Sequence, residues 1–145
     1  MEKLDITSFE NALNSLIDIL VIYDKNPDDI IVRDATIQRF EYTYSLALKM
    51  LSRFINKESK EITHTMTFNQ LIRTANQFGL LKSNLEIWDD YRQKRNSTSH
   101  TYDEAIALEV MSIVPNFKDE VFISYPSTLY KISYLFSILF LSEKR

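Results

Sequence analysis

Apolar residues return every three or four positions along most of this chain, and the places where that rhythm stops divide it into five helices. The first is expected from about Ser8 to Tyr23, where Phe9, Leu13, Leu16 and Leu20 make one buried stripe. The second and longest runs from about Asp28 to Ile55. Its inward face is Ile37, Phe40, Tyr44, Ala47, Leu48, Leu51 and Phe54 or Ile55. Asp34, Gln38, Glu41 and Ser45 form a separate polar stripe on that helix, which is either a solvated face or a surface turned to a partner. A third helix covers Phe68 to Phe78 with Leu71, Ile72, Ala75 and Phe78 inward. A fourth starts after Ser83 and uses Leu85, Trp88, Tyr91 and Arg92. A fifth follows Thr101 with Ile106, Val110 and Ile113 as its buried row.

The boundaries have local causes. Thr7 with Glu10, Thr67 with Gln70, Ser83 with Glu86, and Thr101 with Glu104 each have the spacing of a capping box. In that motif a hydroxyl caps a free backbone N–H and a carboxyl or amide returns the bond. Asn26-Pro27-Asp28-Asp29 separates the first two helices, with Asn26 as cap and Pro27 in the first turn of the second. Gly79 stands where a helix needs a left-handed stop. Pro115 should end or kink the fifth helix. Asn56 to Thr67 is polar and reads as a loop, so His64 within it, with no second ligand at metal spacing, reads as a surface residue.

After Asn116 the pattern changes. Tyr125-Pro126-Ser127 resembles another helix start, and Leu129 to Leu141 is crowded with Leu, Ile, Phe and Tyr. That run is shorter than the roughly 20 residues needed to span a bilayer, and Lys131 interrupts it. The expectation is a core helix or a subunit interface, with a short strand pair as the alternative.

Composition narrows the class. One glycine and three prolines in 145 residues disfavour hairpin-rich sheets and suit an all-helical chain. At 145 residues, with 45% hydrophobic and 26% charged residues, a single folded domain spanning 1–145 is expected. Without cysteine there is no disulfide, thiol nucleophile or thiolate metal site. The start Met1-Glu2-Lys3-Leu4-Asp5 lacks a signal-peptide core, so a cytoplasmic protein is expected. A net charge of −3 provides no global field for nucleic acid, so RNA binding would need a local patch. Phosphate-binding glycine loops, zinc motifs and nucleophile elbows are absent from the sequence, and no metal or cofactor is expected.

Candidate chemistry concentrates between Trp88 and Glu104. Arg95 should close the fourth helix, His100 should lie just before the fifth, and Tyr102 should be its first residue. In one unbroken helix, residues five apart diverge by about 140°, so the break is what would let Arg95, His100 and Tyr102 converge. Such a junction suits phosphate. A helix start offers free N–H groups, Arg95 offers a planar fork, and Arg92 and Lys94 add positive charge. A histidine there can take or give a proton, and an arginine can offset charge on phosphorus. The competing reading is structural. Arginine is favoured at a helix C-terminus, Ser-Thr-Ser is ordinary capping chemistry, and Trp88 and Tyr102 would be core aromatics.

The run Arg95-Asn96-x-Thr98-Ser99-His100-Thr101-Tyr102-Asp103-Glu104 resembles the signature of the nucleotidyltransferase substrate-binding protein family, within the HEPN superfamily. A second block, Arg33-Asp34 followed by Ile37-Gln38-Arg39-Phe40-Glu41-Tyr42-Thr43-Tyr44 and Leu51, resembles it too. The likeness extends from about Leu4 to Asn116. It implies an antiparallel four- to five-helix bundle, a homodimer or higher oligomer, and a partner that is a minimal nucleotidyltransferase. Related pairs act as toxin–antitoxin modules. In them the helical chain is a metal-independent ribonuclease with an Arg-x4–6-His motif, and the tyrosine two places after the histidine receives a nucleotide. By resemblance, Arg95 and His100 would be catalytic, Arg95, Asn96, Ser99, His100 and Tyr102 would contact nucleotide or RNA, and Tyr102 would be the acceptor. Segment 117–145 departs from the family, whose members continue with a charged amphipathic helix. Two functions follow as expectations: a binding subunit that holds nucleotide or acceptor for the transferase, and, as the alternative, a ribonuclease.

Overall fold

Burial follows the helical stripes read from the sequence. The computed structural model describes residues 5–59 and 62–122, and every regular element among them is helical. α1 covers Thr7–Lys25, α2 Ile30–Ser59, α3 Phe68–Gln77 and α4 Leu85–Asn96, and α5 occupies 104–122. Single 3₁₀ turns fill Thr63–Thr65 and Ser97–His100. α2 therefore continues one turn beyond the expected end, and His64 is exposed in the short turn after it. Among the described residues no helix is long and apolar enough to cross a membrane.

Phe9, Leu13, Leu16 and Leu20 of α1 are all buried against Ile37, Phe40, Tyr44, Ala47 and Leu51 of α2. The pair is antiparallel, because Thr43 Oγ1 donates to the carbonyl of Ala12 at 3.2 Å and Arg39 Nη1 to that of Ser15 at 2.6 Å. At the centre, edge-on aromatic contacts join three helices. Phe40 meets Phe117 at 5.1 Å, Tyr91 meets Phe117 at 5.5 Å, and Trp88 meets Tyr91 at 5.4 Å between ring centroids. Edge-to-face pairs of this kind add about 0.5–1.5 kcal/mol to the burial itself.

The caps differ from expectation at four helix starts. The capping box at Thr67 and Gln70 forms with both hydrogen bonds. α1 instead begins on Thr7 itself, whose N–H donates to Asp5 Oδ1 at 2.9 Å. Asn84 rather than Ser83 caps α4, accepting from the Ile87 N–H at 3.2 Å. α5 starts after Asp103, whose Oδ1 accepts from the Ala105 N–H at 2.9 Å, so Thr101 is not its cap and Tyr102 is not helical. Asn and Asp cap at least as well as Ser and Thr, and here they stand nearer the periodic run. Asp29 does the same for α2, accepting from Ile31 at 2.9 Å, while Asn26 closes α1.

Other corrections concern faces. Phe78 is exposed rather than inward, because the chain turns at Gly79 (φ 69°) and sends Leu80 and Leu81 inward in its place. The Leu80 N–H returns to the Ala75 carbonyl and the Gly79 N–H to that of Asn76, both at 3.0 Å, the paired bonds of a Schellman stop. Arg92 is exposed and lays its guanidinium over the Phe68 ring at 4.7 Å. Ile106 is only half-buried, and the inward row of α5 runs through Ala107, Val110, Val114, Phe117 and Val121. Pro115 does not end this helix. A proline inside a helix costs about 3 kcal/mol, but Val114, Phe117 and Val121 are fully buried at about 1.5–3 kcal/mol each. Residues 117–122, expected to open an apolar tail, belong to α5. The proposed start at Tyr125 and the run from Leu129 to Leu141 lie outside the described residues.

One polar device in the core went unread. Glu120 is 2% exposed. Its Oε1 accepts from the N–H groups of Lys82 and Ser83 and from Trp88 Nε1, and its Oε2 accepts from Ser83 Oγ at 2.7 Å. α5 thereby pins the α3–α4 connection and the start of α4. Tyr91, beside this carboxylate, is pushed up to about 12 by burial first and by the Glu120 charge second.

Candidate functional site

α4 ends at Asn96 because its last turn tightens into Ser97–His100, where side chains compete for backbone carbonyls. Ser97 Oγ donates to the Gln93 carbonyl at 3.0 Å, Thr98 Oγ1 to that of Arg95 at 2.8 Å, and Thr101 Oγ1 to that of Thr98 at 3.3 Å. The Asp103 N–H returns to the His100 carbonyl at 3.0 Å, and the chain then enters α5. The Ser-Thr-Ser run is thus structural in its hydroxyls at Ser97 and Thr98, while Ser99 is exposed.

This turn puts His100 and Tyr102 side by side on the surface. Their rings are edge-on at 6.0 Å between centroids, and the Tyr102 hydroxyl lies 3.5 Å from His100 Nδ1, the outer limit of a hydrogen bond. Tyr102 is 87% exposed and is no core aromatic, whereas Trp88 is fully buried. Asn96 is exposed at the end of α4.

Arg95 faces α2. Its Nη2 is 3.5 Å from Glu41 Oε1, with both side chains partly exposed. A pair of this length and exposure is worth about 0–1 kcal/mol, so another anion can compete for the arginine. Glu41 belongs to the polar stripe of α2. The remainder of that stripe, Asp34, Gln38 and Ser45, is exposed. The other cations expected to assist are engaged: Lys94 pairs with Asp90 at 3.0 Å, and Arg92 covers Phe68. The start of α5 is also not an open anion site, because the Asp103 carboxylate holds its first N–H groups. Of the candidate residues, that leaves Arg95, loosely paired, and His100, exposed on the turn.

The two sequence blocks meet through a second ion pair. Arg33 is buried near the start of α2, and its Nη1 donates to Glu104 Oε2 at 2.7 Å, with Asp34 at 3.5 Å. The Glu104 hydrogen bond is the main reason that Arg33 is held above the usual arginine value. α2 and α5 thus begin beside each other. Because Phe40 and Tyr44 meet Phe117 further along, they run in the same sense. This fixes the start of α5, and with it the His100–Tyr102 turn, relative to α2.

Sequence reading missed Tyr44 as anything but core. It is 5% exposed, and its hydroxyl has no hydrogen-bond partner among the described residues. Burial pushes it up to about 12, opposed by the charges of Arg92 and Arg95 and aided by Asp89. A surface cleft between α3 and α4, lined by Asn69, Arg73, Asn84, Leu85, Glu86 and Asp89, shares no residue with the Arg95–Tyr102 turn.

Comparison with known proteins agrees with the fold and with the family that the sequence resembles. The model of a family described as nucleotidyltransferase substrate binding protein like matches residues 4–125. A protein of Haemophilus influenzae described as a probable ribonuclease, HepT, is 34% identical, with the match covering 80% of this chain and 86% of that protein. A solved structure from Haemophilus influenzae superposes with a TM-score of 0.72 at 29% identity, over 80% of this chain and 93% of that one. It is described as revealing the fold of a substrate binding domain of a nucleotidyltransferase.

Proposed function

Because the chain belongs to the nucleotidyltransferase substrate-binding protein family, we propose that it is the ribonuclease half of a two-protein module. Its partner is a minimal nucleotidyltransferase, and the substrate it presents to that partner is its own Tyr102. The observation that carries this reading is the exposed Tyr102 hydroxyl, 3.5 Å from His100 Nδ1. A nucleotide attached there would add bulk and negative charge directly over the one histidine of the turn.

The chemistry needs no metal. Arg95 exchanges Glu41 for a phosphodiester and offsets charge as it builds on phosphorus. His100, acting as base, takes the proton from a ribose 2′-hydroxyl, and the 2′-oxygen attacks phosphorus. The bond to the 5′-oxygen breaks, that oxygen takes a proton from water while His100 returns its own to solvent, and the products are a 2′,3′-cyclic phosphate and a 5′-hydroxyl. Asn96 and Ser99, both exposed on the same turn, are within the surface such a strand would cross. With a net charge of −3, one copy offers little field to RNA. Two copies with their turns facing one strand would double the local positive charge, so a homodimer is part of the reading.

The test is to co-express the chain with its cognate nucleotidyltransferase and measure complex formation, intact mass and RNA cleavage together. The expected result is cleavage by the chain alone, lost by a factor of about 10² or more in His100→Ala. ATP and the partner should add nucleotide mass that Tyr102→Phe does not take up, and should silence the wild type. Cleavage that persists in His100→Ala removes the catalytic assignment, and equal labelling of Tyr102→Phe removes the acceptor. A chain that binds the partner and takes nucleotide without ever cutting RNA would leave the substrate-subunit role alone.

A further inference from the structure

We infer that the Tyr44 hydroxyl is a positioning donor for the phosphate group that Arg95 engages. The inference rests on the reading that Arg95 binds a phosphodiester, and it adds a residue that lies far from the Arg95–Tyr102 turn in sequence.

Placement comes from two helix faces. Glu41 and Tyr44 are three apart on α2 and so share a face, and Glu41 reaches Arg95 at 3.5 Å. Arg92 and Arg95 are likewise three apart on α4, and the charges of both are felt at the Tyr44 hydroxyl. The Tyr44 ring is fixed from behind by Phe40 at 6.2 Å and Phe117 at 6.0 Å. A rigid, buried phenol thus lies one helical turn from the Glu41–Arg95 contact between α2 and α4, and no described residue bonds its hydroxyl. A buried hydroxyl left unpaired costs about 1–3 kcal/mol, and phenylalanine would fill the same space without that cost. The group that satisfies this position accepts a hydrogen bond and is attracted by adjacent positive charge, which describes a phosphate oxygen. When Arg95 leaves Glu41 for a phosphodiester, that oxygen comes within reach of the phenol one helical turn away.

Folding and binding then demand opposite things of Tyr44, and Tyr44→Phe separates them. The full chain, as wild type, Arg95→Ala and Tyr44→Phe, is titrated with a single-stranded 2′-deoxy oligonucleotide, which lacks the attacking hydroxyl and is not cut. Thermal unfolding is recorded in parallel. The expected result is that Arg95→Ala weakens binding, and that Tyr44→Phe weakens it by about tenfold while its Tm is equal to or above that of the wild type. If Arg95→Ala weakens binding and Tyr44→Phe binds as well as the wild type, Tyr44 is a core residue and the inference is overturned while the phosphate reading stands. If the wild type does not bind, or Arg95→Ala binds equally well, the phosphate reading fails and the inference with it.

Discussion

The two ends of α4 are both polar, and they use polarity in opposite ways. At its start, the Glu120 carboxylate is buried and spent entirely within the protein, on two backbone N–H groups, an indole N–H and a hydroxyl. At its end, Arg95 holds Glu41 only at 3.5 Å, and His100 and Tyr102 face outward on a turn. A buried, fully bonded polar group maintains a fold, because removing it strands its partners away from water. An exposed, loosely paired group contributes little to stability and is free to meet a ligand. The contrast fits an architectural first end and the chemistry proposed for the second, and stability measurements can break it.

The largest effect is expected at the buried end. Glu120→Ala leaves the N–H groups of Lys82 and Ser83 and the Trp88 indole without their acceptor, at about 1–3 kcal/mol for each stranded donor. A loss of about 3 kcal/mol or more in urea unfolding is expected. A loss below about 1 kcal/mol would mean that water replaces the carboxylate, and the clamp would not be structural.

Glu104→Ala should come next. It removes the 2.7 Å partner of buried Arg33 while leaving the more distant Asp34. Because Glu104 is itself largely exposed, water can reach the side of the guanidinium that it leaves uncovered, so about 1–2 kcal/mol is expected. If this pair also fixes the start of α5, cleavage or nucleotide uptake at the turn should fall along with stability. An unchanged activity would separate the Arg33 link from the site.

A smaller effect is expected in alkali. Tyr44 and Tyr91 are both pushed up to about 12, chiefly by burial, from an ordinary value of 10.0. A group held higher in the folded state gives stability that is complete below its unfolded value and is lost as pH rises through its folded one. Tm should therefore be steady to about pH 10 and decline toward pH 12. Tyr44→Phe should shallow that decline without abolishing it, because Tyr91 still titrates. An identical decline in Tyr44→Phe would show that its phenol reaches solvent.

What the sequence conveyed follows the same division. The apolar stripes of α1 and α2 were legible because a 3.6-residue period has one buried face, whichever partner covers it. Gly79 was legible because a left-handed stop strongly favours glycine. The caps were less so, since neighbouring Ser83 and Asn84, or Thr101 and Asp103, are chemically equivalent until the helix axis is placed. Pro115 misled because packing by Val114 and Phe117 outweighs a local rule. Arg95, His100 and Tyr102 were found as a motif, but their partners were not. Glu41 and Tyr44 are more than fifty positions away, and Glu120 looks like any surface glutamate on a helix. Periodicity identifies which face is buried, and only the tertiary fold says which polar residue is trapped inside it.

The smallest stability change is expected where the chemistry is proposed. His100→Ala removes an exposed ring whose described contacts are an edge-on tyrosine and a 3.5 Å approach of its hydroxyl. Surface substitutions of this kind fall within about 0.5 kcal/mol, and Tyr102→Phe, which keeps the ring, should do the same. The near-zero value matters because it makes the activity test interpretable: a variant that folds like the wild type and has lost cleavage has lost a catalyst. Should His100→Ala instead cost about 2 kcal/mol or more, the turn would be an architectural joint like the Glu120 clamp. The two ends of α4 would then differ in exposure without differing in role.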